Sequence, residues 1–569
     1  MLHFYDFECF RYDWMVVIIS PFNREKTVIV NDYEKLKAYY KKYKNEIFIG
    51  FNSNNYDQYL FKGALLDMNL YDISDAIINQ DKKGWQLSGL FRKIQFYNYD
   101  IMTNYHGLKT LEGFMGNNIK ETGVPFDIPR KLTQAEIDET IKYCTHDVEQ
   151  TMEVFLERKN EFNAQMSLIK EFKLPLAYIS KTQAQLAAII LGAKRVDYND
   201  EWDIRLPETL KLNKYRCVAN WFMNEANYDY AKSLKLDIAG IPHIVAWGGL
   251  HGAINKFSYT CKSDELMIMA DVAQLYPTLM VVYHLLSRGV TKPELFKHIL
   301  ATSLRLKAEH KKKEREPYKR ICNITYGAEG DKNNAMYDPL HRTLVCIFGQ
   351  LLVIDLIEKL ETIPSFKLFQ SNTDGILVLI KRKDFEAFDD IVYEWEQRTG
   401  LTMEFDYFKS IYQKDVNNYI AVGYDGEMKP KGSYVKSLNR LDNDLPIINK
   451  AMSEYMTKGV SIEATINGCD DLIMFQKIVK ISRKYLYGLH NNIKLTDKTF
   501  RVFASNNFND DGIYKVKSLD KNPEKFANTP EHCFIWNDSV NDIKVPGWLD
   551  KSWYIDLTKK RLVQFGIEI

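Results

Sequence analysis

At 569 residues and 66.6 kDa the chain holds material for roughly three or four domains, which excludes a single small binding module. Hydrophobic residues make up 46% and charged residues 27%, with only 28 Gly and 16 Pro, which excludes disordered and collagen-like sequence. Lys and Arg number 76 against 75 Asp and Glu, a formal charge of +1, so a polyanion has to be held by local patches rather than by the whole-chain balance.

In chain order, residues 2–30 read as three short strands: one to Phe10, one from Trp14 to Ser20 and one from Thr27 to Val30. A helix over Asp32 to Tyr43 and a strand from Glu46 to Phe51 follow, the opening of a ribonuclease H-like sheet. Thr133-Gln-Ala-Glu136 is a capping box that opens a helix running past Asp147 towards Phe162. The first domain is expected to end near residue 175. Ser180 starts another helical segment, Gly248, Gly249 and Gly252 mark a loop, and a buried strand from Leu266 to Ala270 delivers Asp271.

From Thr291 to Gly330 the pattern is helical and strongly basic, with Pro317 expected to divide it into two helices. Residues 341–361 form a long amphipathic helix. Two apolar strands, Phe366 to Gln370 and Gly375 to Ile380, then flank a tight Ser371-Asn-Thr-Asp-Gly375 turn. The last 120 or so residues carry no legible motif. The eight cysteines include no C-x-x-C pair, which points away from zinc, iron–sulfur clusters and a disulfide framework and towards a reduced compartment. With no basic leader and no apolar run near the ~18 residues of a membrane span, the expectation is a soluble, cytoplasmic protein without a membrane partner.

Asp6 and Glu8 stand at i and i+2 on the first strand, so both carboxylates leave the same face. A solvated edge strand gives the same pattern; two close like charges otherwise call for a cation between them. Asn52-Ser-Asn-Asn-Tyr-Asp57 follows the fourth strand, and Tyr143-Cys-Thr-His-Asp147 places a phenol and a carboxylate one helical turn apart. Hard oxygen ligands in this arrangement suit a two-metal phosphodiesterase using Mg2+ or Mn2+, with Tyr143 orienting the attacking water. The three segments resemble the D-x-E, N-x3-(F/Y)-D and Y-x3-D motifs of proofreading 3′–5′ exonucleases. Asp6, Glu8, Asp57 and Asp147 are then the implied metal ligands, and Asn52 contacts DNA. Thr110-Leu111-Glu-Gly-Phe114 resembles the segment that holds single-stranded primer ends in such enzymes, although an ordinary turn with a core leucine has the same pattern.

Asp271-Val-Ala-Gln-Leu-Tyr276-Pro ends a buried strand, and Asp374 sits in the turn more than a hundred residues on. An aspartate there could equally cap the following helix. Between them Lys319, Asn323, Tyr326 and nearly Gly327 share one helical face, a surface suited to a nucleoside triphosphate. Asp271 to Pro277, Lys319 to Gly327 and Asn372-Thr-Asp374 resemble motifs A, B and C of family B DNA polymerases, collinear with the exonuclease motifs. The resemblance implies two Mg2+ ions in this site also, held by Asp271, Asp374 and the Val272 carbonyl. It further implies Tyr276 as the steric gate against a ribose 2′-OH, and Lys319, Asn323, Tyr326 and Arg305 around the incoming dNTP. Gln274 and Ile324 replace the usual serines, and Asn372 replaces the first motif C aspartate.

Ala246-Trp-Gly248-Gly249 lies where the family has Y-x-G-G, and Asn417-Asn-Tyr419 lies where it has K-x-Y. Lys429-Pro-Lys431-Gly432 then forms a clamp on the duplex backbone, which extends the DNA contacts to Gly248, Gly249, Tyr419, Lys429, Lys431 and Gly432. The implied fold is mixed α/β and α+β in several domains: a ribonuclease H-like exonuclease over 1–175, linker and first palm segment over 176–285, fingers over 286–330, second palm segment over 331–448 and thumb over 449–569. About 40 residues separate motifs A and B and about 45 separate B and C, which leaves no room for terminal-protein insertions. The implied partners are primer-template DNA, single-stranded DNA and dNTPs, without a protein primer, and the implied source is a bacteriophage replicating its genome with a monomeric enzyme. A catalytically silent DNA-binding scaffold and a stand-alone exonuclease are the competing readings.

Overall fold

The computed structural model describes residues 1–22, 25–102 and 106–569, which form two compact units. The first comprises Met1–Lys181, Leu438–Ile447 and Ile466–Tyr554; the second comprises Thr182–Ser437, Ile448–Thr465 and Ile555–Ile569. The stretch 449–569, expected as one thumb, is therefore divided, and most of it folds with the N-terminal residues. No helix among the described residues is long and apolar enough to cross a membrane.

In the first unit β1 (Leu2–Cys9), β2 (Trp14–Ser20), β3 (Glu25–Val30), α1 (Tyr33–Tyr43), β4 (Ile47–Gly50), α2 (Asp57–Leu65), α3 (Leu70–Ile78), β5 (Tyr97–Asp100), α4 (Leu108–Phe114), α5 (Gln134–Glu157) and α6 (Lys159–Glu171) follow in order. The sheet runs β3-β2-β1-β4-β5, antiparallel across the first three strands and parallel from β1 through β4 to β5. Helices cover both faces, so β1 is apolar in both registers. Tyr5 and Phe7 pack with Leu36, Leu60 and Phe61 on one side, while Phe4 packs with Val148 and Phe155 of α5 on the other. By the period of two, Asp6 and Glu8 share the face of Phe4 and look towards α5. Thr133 and Glu136 form the expected capping box. The helix stops at Arg158, whose φ of −99° and ψ of 12° part α5 from α6 short of the predicted end.

The second unit contains α7 (Gln183–Ile190), α8 (Arg216–Met223), β6 (Ser233–Ile238), β7 (Ile241–Ala246), β8 (Gly249–Ala253), β9 (Phe257–Thr260), β10 (Glu265–Val272), α9 (Leu275–Val282), α10 (Pro293–Ala308), α11 (Lys312–Glu329), α12 (Pro339–Leu360), β11 (Lys367–Asn372), β12 (Gly375–Lys381), α13 (Phe385–Thr399), β13 (Met403–Asp415), β14 (Asn418–Gly423) and β15 (Met428–Lys431). Its sheet runs β15-β14-β13-β10-β12-β11-β8-β7-β6, with β9 also on β13. Gly249 and Gly252 lie in β8 rather than in a loop; the turn is Trp247-Gly248, closed by the Ala246–Gly249 pair. Nor does Pro317 separate the basic helices. The break falls at Glu309 to Lys311, where His310 adopts a φ of 56°, and Pro317 lies inside α11, losing a single backbone bond near the helix start.

The C-terminal part of the first unit is a β-module: β16 (Lys477–Lys480), β17 (Tyr487–His490), β18 (Ile493–Leu495), β19 (Thr499–Ala504), β20 (Tyr514–Val516), β21 (Glu524–Lys525) and β22 (Cys533–Ile535). They form two small sheets, β16-β19-β22 and β18-β17-β20-β21. Arg501 joins this module to the end of α4. Fully buried, it donates to the side chain of Gln476 and to the carbonyls of Trp536, Asp538, Gly113 and Asn117 at 2.7–3.2 Å. Burial pulls its guanidinium down to about 10. Arg501→Met strands four carbonyls and should cost about 3 kcal/mol or more, read as a lower urea midpoint; an unchanged midpoint contradicts this role.

Candidate active sites

Strand β1 and helix α5 bring the first set of predicted residues together. Asp57, the first residue of α2, accepts the Phe7 N–H at 3.2 Å and so reaches β1 from the far side of the loop after β4. Asp6 and Glu8 lie with Cys144 of α5 in a cluster whose ligand atoms fall within 4.8 Å of one another, and Glu112, His146 and Asp147 form a second such cluster. Burial pushes the Asp6 and Glu8 carboxyls well above the usual carboxylate range. Asp57, Glu8 and Asp147 add to the effect at Asp6, and Asp147 and Asp57 at Glu8. Asp57 is pushed up to about 7 by burial against the opposing backbone bonds it accepts. Asp147 is raised by burial and held back by Lys109. Tyr143 is raised too, by burial and then by Asp147 and Glu8.

Lys109 was not among the sequence candidates. Its Nζ lies 2.8 Å from Asp147, 3.1 Å from Glu112 and 4.8 Å from the centre of the Tyr143 ring. Glu112 is fully buried and also meets His146 at 3.3 Å. A carboxylate at an inward helical position, three residues after a lysine, was the available signal. Asn52 adopts a φ of 61° and gives its N–H to Asp100 at 2.9 Å. Thr110, Leu111 and Phe114, expected on a primer strand, are buried; Leu111 and Phe114 pack in the core with Cys144 and Val148, which is the ordinary reason for apolar residues on the inner face of α4.

Several carboxylates with one ammonium among them leave unbalanced negative charge in a desolvated place, which a divalent cation would offset. The oxygen donors fit Mg2+ or Mn2+. The thiol of Cys144 does not join them as a hard ligand, since burial and the adjoining carboxylates hold it protonated.

In the second unit Asp271, next to last in β10, pairs with Gly375, and the Val272 N–H donates to the Asp374 carbonyl at 2.7 Å, so Asp374, in the turn between β11 and β12, sits beside the end of β10. Gly375 is required there: a Cβ would fall 2.1 Å from Asp271 Oδ1. Asp271 does not cap α9. That place belongs to Gln274, held at a φ of 46° with its amide 3.3 Å from Ser303. The Asp271 carboxyl is raised by burial, opposed by Lys429 and reinforced by Asp374 and Asp406. Lys429, expected on a DNA backbone, lies 2.9 Å from Asp406 and 3.7 Å from Asp271. Asn372, paired with Gly375, stands beside them as a neutral amide.

Tyr276, in the first turn of α9, stacks on Tyr326 of α11 with ring centres 4.2 Å apart, and the Tyr326 hydroxyl meets Cys346 at 2.7 Å. Lys319, Asn323 and Gly327 are exposed on α11 opposite the buried Ile321, Thr325 and Ala328. Arg305 is exposed and pairs with Glu309 at 2.9 Å, while Lys307 bonds Glu404, the residue across from Asp271 on β13. The Gly248 carbonyl receives Cys346, and Gly249 lies against Thr373, so close that a Cβ would fall 2.5 Å from its hydroxyl. Tyr419 is buried in the sheet core with Lys431 over its ring at 5.9 Å, and Gly432 takes a φ of 97°.

No protein-family model and no curated protein sequence matches the chain. Among solved structures it is similar to the family B DNA polymerase from the hyperthermophilic archaeon Pyrobaculum calidifontis, at 14% identity and a TM-score of 0.44, over all of this chain and 78% of that one. A likeness so distant carries no chemistry with it; the side chains have to supply that.

Asp57 gives a direct electrostatic test. Its folded carboxyl binds a proton up to about pH 7 and its unfolded one only up to about pH 4, so its stabilising contribution is full below about 4 and is lost as pH rises through 7. In EDTA, the melting temperature of Asp57→Asn relative to wild type should rise by roughly 2 °C or more between about pH 5 and about pH 8. Mg2+ should then raise the wild-type melting temperature more than that of the variant. A variant less stable at pH 8 than at pH 5, relative to wild type, contradicts the assignment.

Proposed function

We propose that the protein is a primer-extending DNA polymerase of family B with a separate 3′–5′ proofreading exonuclease site. The observation that carries this reading is that two sets of motif residues bring carboxylates together, one set in each compact unit: Asp6 and Glu8 lie in one cluster, and Asp271 lies beside the turn that carries Asp374. The ribonuclease H-like strand order of the first unit supports the exonuclease assignment, with Asp6, Glu8, Asp57 and Asp147 as the carboxylates of that site.

In the second unit Asp271, Asp374 and the Val272 carbonyl are the groups that would hold divalent cations, Mg2+ or Mn2+, two in each site. When bound, such cations lower the pKa of a primer 3′-hydroxyl and neutralise the triphosphate. The chain's own residues do the selecting. The Tyr276–Tyr326 stack forms an apolar wall at the start of α9, which as a steric gate leaves no room for a 2′-hydroxyl. Lys319 and Asn323, on the exposed face of α11, reach for the triphosphate and base, with Arg305 on the neighbouring helix. The 3′-oxygen attacks the α-phosphorus, the bond to the bridging oxygen breaks, and pyrophosphate leaves. Palm and fingers take the boundaries 176–285 with 331–448 and 286–330. The short spacers between the three polymerase motifs favour a nucleic-acid primer over a protein one, the basis on which a phage replicase is proposed.

Primer extension and single-strand degradation in Mg2+ test both halves. Asp374→Ala should reduce extension by about a thousandfold or more while degradation persists, and Asp6→Ala should do the reverse. Extension by Asp374→Ala at the wild-type rate overturns the polymerase reading, and degradation by Asp6→Ala overturns the exonuclease reading. Wild-type protein inert in both assays indicates a silent scaffold.

A further inference from the structure

The β-module carries charge that the near-neutral chain conceals. Between residues 477 and 525 there are eleven Lys and Arg against five Asp and Glu, within a protein whose total is +1. One carboxylate, Glu524, is surrounded by three of these cations. Lys515 lies 3.7 Å from it, and Lys515, Lys517 and Lys484 all help hold its carboxyl below the usual range, after the bond from the Tyr485 hydroxyl at 2.6 Å. The same cations frame the Tyr485 ring, with Lys515 at 4.6 Å and Lys484 at 5.4 Å from its centre. Lys494 sits 4.9 Å over Tyr487 on the adjoining strand.

Apolar side chains lie open beside these cations. Leu486 is 61% exposed and Leu519 85%. A strand of unpaired nucleotides has use for both, because its phosphates need cations and its bases need flat or apolar surfaces to cover their faces. A duplex hides its base faces and would use the cations alone.

We propose that this cluster of Lys484, Lys515 and Lys517 around Tyr485 is a binding surface for single-stranded nucleic acid, distinct from both acid-rich sites. It needs no metal and holds the strand by phosphate contacts, with Leu486 and Leu519 open to cover its bases. Because it lies in the same compact unit as Asp6 and Asp147, it gives that unit a grip on a strand independent of the reacting end.

Fluorescence anisotropy of a labelled oligo-dT with the full chain, in EDTA and across a series of KCl concentrations, tests the surface whether or not either catalytic reading holds. Replacing Lys484, Lys515 and Lys517 together by Gln should raise Kd about tenfold or more at about 0.1 M salt and flatten the log–log salt slope by about 2, at roughly 0.7 per lost phosphate contact. The triple replacement by Arg should restore both. Leu486→Ser combined with Leu519→Ser should weaken binding about fivefold with the slope unchanged. Should the triple Gln variant fail to fold, Lys517→Gln alone, on an exposed side chain, should still flatten the slope by about 0.7. Wild-type affinity and slope in the Gln variants, or a duplex of equal length competing as well as the single strand, overturns the proposal.

Discussion

Like charge forced together out of water is the constraint on which the first unit turns. Asp6, Glu8, Asp57 and Asp147 are all raised in pKa first by burial, and Asp6 and Glu8 by one another's neighbours as well. A fold selected for stability alone would replace such groups or disperse them. Here the surrounding elements keep them in place. The Phe7 N–H fixes Asp57, Lys109 fixes Asp147, and β1 has no freedom to turn its acidic face outward, because Tyr5 and Phe7 are locked into the opposite core. The arrangement makes sense when a cation joins it.

The second unit handles the same difficulty with backbone. Asp271 and Asp374 are brought together by the β10–β12 pairing, the Val272 bond to the Asp374 carbonyl and the absence of a side chain at Gly375. Lys429 screens Asp271 from one side, and the bond between Lys307 and Glu404 ties α10 to the neighbouring strand. The Tyr276–Tyr326 stack and the exposed face of α11 then give the site an apolar wall and a polar approach, a combination suited to a ligand with a flat ring at one end and phosphates at the other.

Much of this was legible in the sequence where a local rule determines the outcome. The period of two along β1 placed Asp6 and Glu8 on one face, the Thr133–Glu136 box located the start of α5, and the Thr373-Asp374 turn stood out between two apolar strands. Long-range packing was harder to see. Nothing local tells that His146 of α5 closes on Glu112, or that Arg501 crosses to carbonyls at the end of α4 and ties residues 477–536 to the N-terminal residues. Phe114 and Leu111 carried a motif's pattern but are core residues, since an apolar side chain on an inward helix face satisfies both descriptions. The overall charge was the least informative number, because it sums over local excesses of either sign, such as the carboxylates of the two sites and the lysines of α11 and the β-module.

Crystals grown with Mn2+ and measured at its absorption edge would test the central claim most directly, since the anomalous signal locates the ion without reference to activity. Peaks among Asp6, Glu8, Asp57 and Asp147, and beside Asp271 and Asp374, are the predicted result. Electron density that leaves both sets of carboxylates without an anomalous peak at saturating Mn2+ would contradict it.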